Sequence, residues 1–135
     1  MSPVFVDSFY WIARIDPRDQ WHRKAKEMET TLAARQLVTT YEVLTEVLAF
    51  FAAQDTIMRN AAARLVDKVL ANPTVTVVPQ TNELFEAAFR LYKKRSDKNW
   101  SLTDCLSMVV MDRSGIKEIL THDHHFSQAN FTILL

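Results

Sequence analysis

Apolar positions along this chain fall into two rhythms. Short continuous runs, led by Val4-Phe5-Val6 and Val75-Thr76-Val77-Val78, are too brief for helices and read as buried strands. Longer stretches carry apolar residues at helical spacing, as in Trp21, Ala25, Met28 and Leu32, or Leu84, Ala87, Ala88 and Leu91. The pattern predicts strands over 3–7, 36–39, 74–78, 118–121 and 131–134. It predicts helices over 8–15, 20–35, 40–54, 56–71, 80–94 and 101–114, with a single turn or loop over 123–128. Asp16-Pro17 closes the first helix, Gln54-Asp55 parts the third from the fourth, and Gly115 serves as a C-cap. Strands alternating with helices imply a parallel sheet covered on both faces, with right-handed crossovers. No repeat or linker interrupts the pattern, so residues 1–135 are read as one domain.

Four acids break the apolar pattern. Asp7 ends the first strand, where it serves either as a helix N-cap or as part of a site outside the carboxyl ends of parallel strands. Glu46 lies at the edge of an apolar stripe made by Val43, Leu44, Val47, Leu48, Phe50 and Phe51. A carboxylate drawn into a core is costly unless it is paired or metal-bound. Glu42 has a structural alternative, a capping box with Thr39 as the cap. Asp104 fits a capping box with Ser101, yet it opens a helix that is apolar nearly all round, where the dipole also favours a negative charge. Asp123 follows the fourth strand as Asp7 follows the first. If those strands are neighbours, the two carboxylates face each other across the sheet's switch point. Together the four form an all-oxygen donor set, which suits Mg²⁺ or Mn²⁺ better than Zn²⁺.

Composition narrows the field. Of 135 residues 48% are hydrophobic, too many for a disordered chain, and the length suits one domain with a core. Lys+Arg and Asp+Glu each number 16, so any nucleic-acid surface must be local. A single cysteine, Cys105, allows neither an internal disulfide nor a thiolate metal site, and fits a reducing compartment. A single glycine excludes phosphate-cradling loops and dinucleotide fingerprints. The N-terminus shows no signal-peptide pattern, and Thr45, Glu46 and Gln54 interrupt the longest apolar stretch, so no membrane span is expected.

The chain resembles the PIN-domain family, and within it the VapC-like toxins of toxin–antitoxin pairs. The matching pieces are Val4-Phe5-Val6-Asp7-Ser8, Thr39-Thr40 with Val43 and Glu46, Ser101-Leu102-Thr103-Asp104-Cys105, and Ile119-Leu120-Thr121-His122-Asp123-His124-His125-Phe126. The resemblance implies a three-layer α/β/α sandwich with a five-stranded parallel sheet. It implies a Mg²⁺- or Mn²⁺-dependent endoribonuclease acting on single-stranded or looped RNA in the cytoplasm. It carries the acidic quartet onto Asp7, Glu46, Asp104 and Asp123, with Ser8 as a supporting hydroxyl; Thr103 and Thr121 flank the acids as further candidates. A homodimer and a small antitoxin are the implied partners.

For the RNA, Arg14 and Arg18 follow the first helix, and Lys93, Lys94, Arg95, Lys98 and Trp100 make a basic loop with one aromatic. Cations on phosphates beside a stacking ring suit single strands, although basic residues at a helix end also complement its dipole. Tyr10 and Trp11 read as core or interface. His122, His124 and His125 lack the spacing of a helical ligand pair and read as a solvated loop. Two rival functions are a non-catalytic RNA- or protein-binding module and a phosphatase of the haloacid-dehalogenase type. The phosphatase wants a second Asp two residues after Asp7, where this chain has Phe9.

Overall fold

The computed structural model describes residues 2–135; Met1, which the single-domain reading includes, lies outside them. The order is β1 (Val4–Val6), α1 (Ser8–Ile15), α2 (His22–Thr31), β2 (Leu37–Thr40), α3 (Tyr41–Phe51), α4 (Thr56–Ala71), β3 (Val75–Val78), α5 (Asn82–Lys94), α6 (Leu102–Ser114), β4 (Glu118–Leu120), α7 (His125–Gln128) and β5 (Thr132–Ile133). All five strands run parallel in the order β3-β2-β1-β4-β5. The expected α/β architecture with a five-stranded parallel sheet is therefore present.

This order places the switch point at β1. The chain steps from β1 outward to β2 and β3, then returns to β4 on the other side. With right-handed crossovers, that reversal puts the connecting helices on opposite faces. Helices α1 to α4 pack on one another, and α5 pairs with α6. β1 and β4 are buried on both sides: Val4, Phe5, Val6, Ile119 and Leu120 are at most 1% exposed. Such central strands read as continuous apolar runs.

α6 is apolar around most of its circumference because it lies inside the molecule. Cys105, Leu106, Met108, Val110 and Met111 are all buried. It begins with a complete capping box between Ser101 and Asp104 and ends at Gly115, whose φ of 67° is the left-handed conformation that glycine adopts without strain.

Several boundaries differ from expectation, for local reasons. Helix α2 is shorter than 20–35, since Asp19 Oδ1 accepts the Trp21 N–H in a turn before the helix begins. β2 runs one residue further than expected because Thr40 still pairs with Val78 of β3. The cap of α3 is therefore Thr40, whose hydroxyl accepts the Val43 N–H at 3.0 Å. Thr39 instead donates to the Val6 carbonyl at 2.8 Å, so the expected Thr39–Glu42 capping box does not form, and Glu42 Oε1 is buried without a partner. The stripe of α3 is also narrower than the periodicity suggests: Val43, Leu44, Val47 and Phe51 are buried, while Leu48 and Phe50 are exposed.

Candidate metal and active site

The C-terminal ends of β1 and β4 lie side by side, so the residues that follow them meet. Asp7 occupies the N-cap position of α1, but its side chain makes no capping bond. Its Oδ2 instead accepts the Thr121 hydroxyl at 2.9 Å. The same Thr121 oxygen accepts the Asp123 N–H at 3.1 Å. One hydroxyl thus ties the two strand ends together.

Asp104 reaches this place from the start of α6. Its Oδ2 accepts the Ser101 N–H at 3.1 Å and faces His125 Nδ1 at 3.0 Å. Glu46 approaches from the middle of α3 and accepts a short hydrogen bond from the Ser8 hydroxyl. Asp123 Oδ1 accepts the His125 N–H at 2.9 Å, and the ring's Nδ1 lies 3.3 Å from the same oxygen. Asp104, Asp123 and His125 offer donor atoms that all lie within 4.8 Å of one another. Among the described residues, no lysine or arginine forms a salt bridge with any of the four acids. The guanidinium partner that would have explained Glu46 as a structural residue is not there.

The electrostatics follow from burial without counter-charge. Asp7 is 2% exposed; burial, reinforced by the charges of Asp104 and Glu46, pushes its carboxyl up to about 8 despite the donated hydrogen bonds. Burial likewise raises Glu46, with Asp104 and Asp123 adding to it and the Ser8 hydrogen bond opposing. Asp104 is raised by burial and by Asp123, against the donors Ser101 and His125. These carboxylates disfavour one another's ionisation, and a bound cation reverses that preference. Oxygen donors converging from β1, α3, α6 and the end of β4, with no resident cation partner, fit a hard divalent ion.

Glu46, Asp104 and Asp123 line one side of a cleft of about 630 Å³. Phe9 and Ile12 of α1, Ala49 and Phe50 of α3, and Trp21 and His122 contribute its apolar walls. His122 stacks on Trp21 with ring centroids 4.8 Å apart and touches the Phe9 ring at 4.4 Å.

Other residues singled out in the sequence lie elsewhere. Thr103 is half-buried and hydrogen-bonds none of the four acids. Arg14 pairs with Glu29 at 2.6 Å and lines cavities away from the acids. Arg18 holds Asp16 and reaches Gln54 near the end of α3. Lys94 and Arg95 border a separate hollow with Gln128, while Lys98 and Trp100 adjoin Ser101. Arg95 pairs with Asp97 and lies over the Trp100 ring. Trp100 is only 5% exposed and donates its indole N–H to Gln128 Oε1 at 3.1 Å, so the expectation of an open stacking ring at this position is corrected. Tyr10 and Trp11 are core residues.

His125 is the residue that sequence reasoning passed over. In place of the expected solvated loop, its ring faces two of the acids. The available signal was its spacing: an Asp that accepts the N–H two residues on folds that residue back toward its own carboxylate.

A family model described as PIN domain matches residues 4–132. The chain is 26% identical over 128 residues to the 23S rRNA-specific endonuclease VapC20 of two Mycobacterium tuberculosis strains, covering 95% of each sequence. It superposes on the crystal structure of Mycobacterium tuberculosis VapC20, described as a sarcin-ricin loop cleaving toxin, with a TM-score of 0.83 at 26% identity over 96% of both chains.

Proposed function

The chain belongs to the PIN-domain family and is VapC-like along nearly its whole length, and on that premise we propose that it is a metal-dependent endoribonuclease cutting single-stranded or looped RNA. The observation that carries this reading is the convergence of Asp7, Glu46, Asp104 and Asp123 with no lysine or arginine to neutralise them. Asp7, Asp104 and Asp123 would hold Mg²⁺ or Mn²⁺. Such an ion supplies Lewis-acid stabilisation of charge at the phosphate and makes water a stronger acid.

The chain's own residues do the rest. The Ser8 hydroxyl orients Glu46, whose raised proton affinity suits it to accept a proton from attacking water. Thr121 holds Asp7 and the Asp123 backbone in register. Phe9, Trp21, His122 and Phe50 give one side of the cleft an apolar face. In-line attack would leave a 5′-phosphate and a 3′-hydroxyl. Arg14, Arg18, Lys94, Arg95 and Lys98 are the basic candidates for holding the RNA backbone.

The homology to a toxin that acts on the sarcin-ricin loop makes a large-subunit rRNA hairpin the first substrate to try. A small antitoxin and a second copy of the chain are the proposed partners, and residues 1–135 the proposed single domain. Among the described residues no helix is long and apolar enough to cross a membrane, and action in the cytoplasm is proposed. Purified protein incubated with total RNA tests the reading. Cleavage should require added Mg²⁺ or Mn²⁺, stop with EDTA, and vanish in both D7N and D104N. Undiminished cleavage by both variants overturns it.

A further inference from the structure

The residues that hold an ion in the reading above are all carboxylates, yet the side chain closest to both Asp104 and Asp123 is an imidazole. His125 Nδ1 stands 3.0 Å from Asp104 Oδ2 and 3.3 Å from Asp123 Oδ1. Neighbouring ligands of an octahedral ion with bonds of about 2.1 Å sit about 3 Å apart. Both separations have that spacing, and all three side chains present donor atoms within one 4.8 Å set.

The ring is also held in place. The Asp123 carboxylate takes the His125 N–H in a two-residue turn, and α7 is pinned by Phe126, which is fully buried. The Phe126 carbonyl accepts the Phe131 N–H at 3.0 Å, anchoring α7 to the segment that enters β5. The His125 side chain is 30% exposed; with its proton on Nε2, the Nδ1 lone pair would face a cation held by the two carboxylates.

Resting on the nuclease reading, we propose that His125 is a direct nitrogen ligand, making this a mixed carboxylate–imidazole site that takes Mn²⁺ in preference to Mg²⁺. The preference follows from donor chemistry. Mg²⁺ seeks oxygen donors and keeps its waters, whereas imidazole suits first-row transition ions. The rival role for the ring is donation of Nδ1–H to the two carboxylates, which would position Asp104 without touching the ion.

Pulsed electron paramagnetic resonance of Mn²⁺ bound to the full chain separates the two roles. Direct ligation gives a ¹⁴N coupling that is present in the wild type, lost in H125Q and retained in H124Q. Calorimetric titration should show H125Q weakening Mn²⁺ binding roughly tenfold or more, while Mg²⁺ binding changes much less. Circular dichroism confirms that H125Q is folded, and H125N serves as a second variant. Mn²⁺ binding without a ¹⁴N coupling, or with a coupling unchanged in H125Q and H125N, overturns the ligand assignment and leaves the nuclease reading standing. Failure of the wild type to bind Mn²⁺ while it binds Mg²⁺ overturns the ligand assignment alone, and failure to bind either ion overturns both.

Discussion

The Thr121 hydroxyl donates to Asp7 Oδ2 at 2.9 Å across a sequence separation of 114 residues. It joins the first strand of the chain to the fourth, and its oxygen also accepts the Asp123 N–H. Replacing Thr121 by Val removes both bonds while keeping the shape. T121V is expected to lose about 1–3 kcal/mol of stability, because buried polar groups are left unpartnered. RNA cleavage should fall with it, and T121S should recover most of both. Urea denaturation and a cleavage assay on the same preparations check this; equal stability of T121V and wild type would contradict it.

Asp7 makes the metal-free protein sensitive to alkali. Its carboxyl sits at about 8 when folded against 3.8 ordinarily. The folded state therefore binds the proton more tightly, and this contribution to stability is complete below about pH 4 and lost as pH rises through 8. EDTA-treated protein should unfold more easily at pH 9 than at pH 6. D7N should flatten that profile and exceed the wild type at pH 9 by about 1–3 kcal/mol. Parallel pH profiles for the two proteins would contradict the assignment.

Metal should act in the opposite direction. An ion that binds only the folded state stabilises it by about 2.7 kcal/mol at a hundred times its dissociation constant. Thermal melting at pH 8 should show a rise on adding Mn²⁺ that is much smaller in D104N. An equal rise in both proteins would place the ion elsewhere.

The Ser101–Asp104 capping box and the metal role of Asp104 can be separated. Ser101 Oγ accepts the Asp104 N–H at 3.0 Å, and the Ser101 backbone N–H still reaches Asp104 when the hydroxyl is gone. S101A should cost about 1 kcal/mol of stability while retaining most cleavage. D104N should abolish cleavage. Chemical denaturation alongside initial rates distinguishes the effects.

Trp100 offers a test of how RNA is held. Its ring is buried beneath Arg95 and its N–H is committed to Gln128. W100F should lower stability by about 1 kcal/mol through the lost hydrogen bond and leave RNA affinity unchanged. Fluorescence anisotropy with a labelled single-stranded oligonucleotide reads the affinity, and a large loss on W100F would restore the ring to the binding surface.

Much of this was legible along the chain because it is local. The helix start at Thr56, the N-cap at Ser101, the C-cap at Gly115 and the strand at Val75–Val78 are set by neighbouring residues. The acids were conspicuous as carboxylates where apolar residues belong. Thr40 displaced Thr39 as a cap because the pairing of β2 with β3 extended the strand by one residue, which periodicity within α3 does not register. Trp100 looked available because polar neighbours surround it in sequence, whereas Gln128 and the Arg95 side chain cover it in space.

The amino-acid order by itself determined the alternation of strands and helices, the lack of any glycine-rich phosphate loop, and the identity of four acids in search of a partner. Local hydrogen bonding and hydrophobic period suffice for that. The tertiary structure decided that β1 and β4 are neighbours, that among the described residues no lysine or arginine pairs with the acids, and that His125 turns toward Asp104 and Asp123. Those are matters of sheet order and packing between residues far apart in sequence, where the energies of many weak contacts, rather than any nearby residue, choose the arrangement.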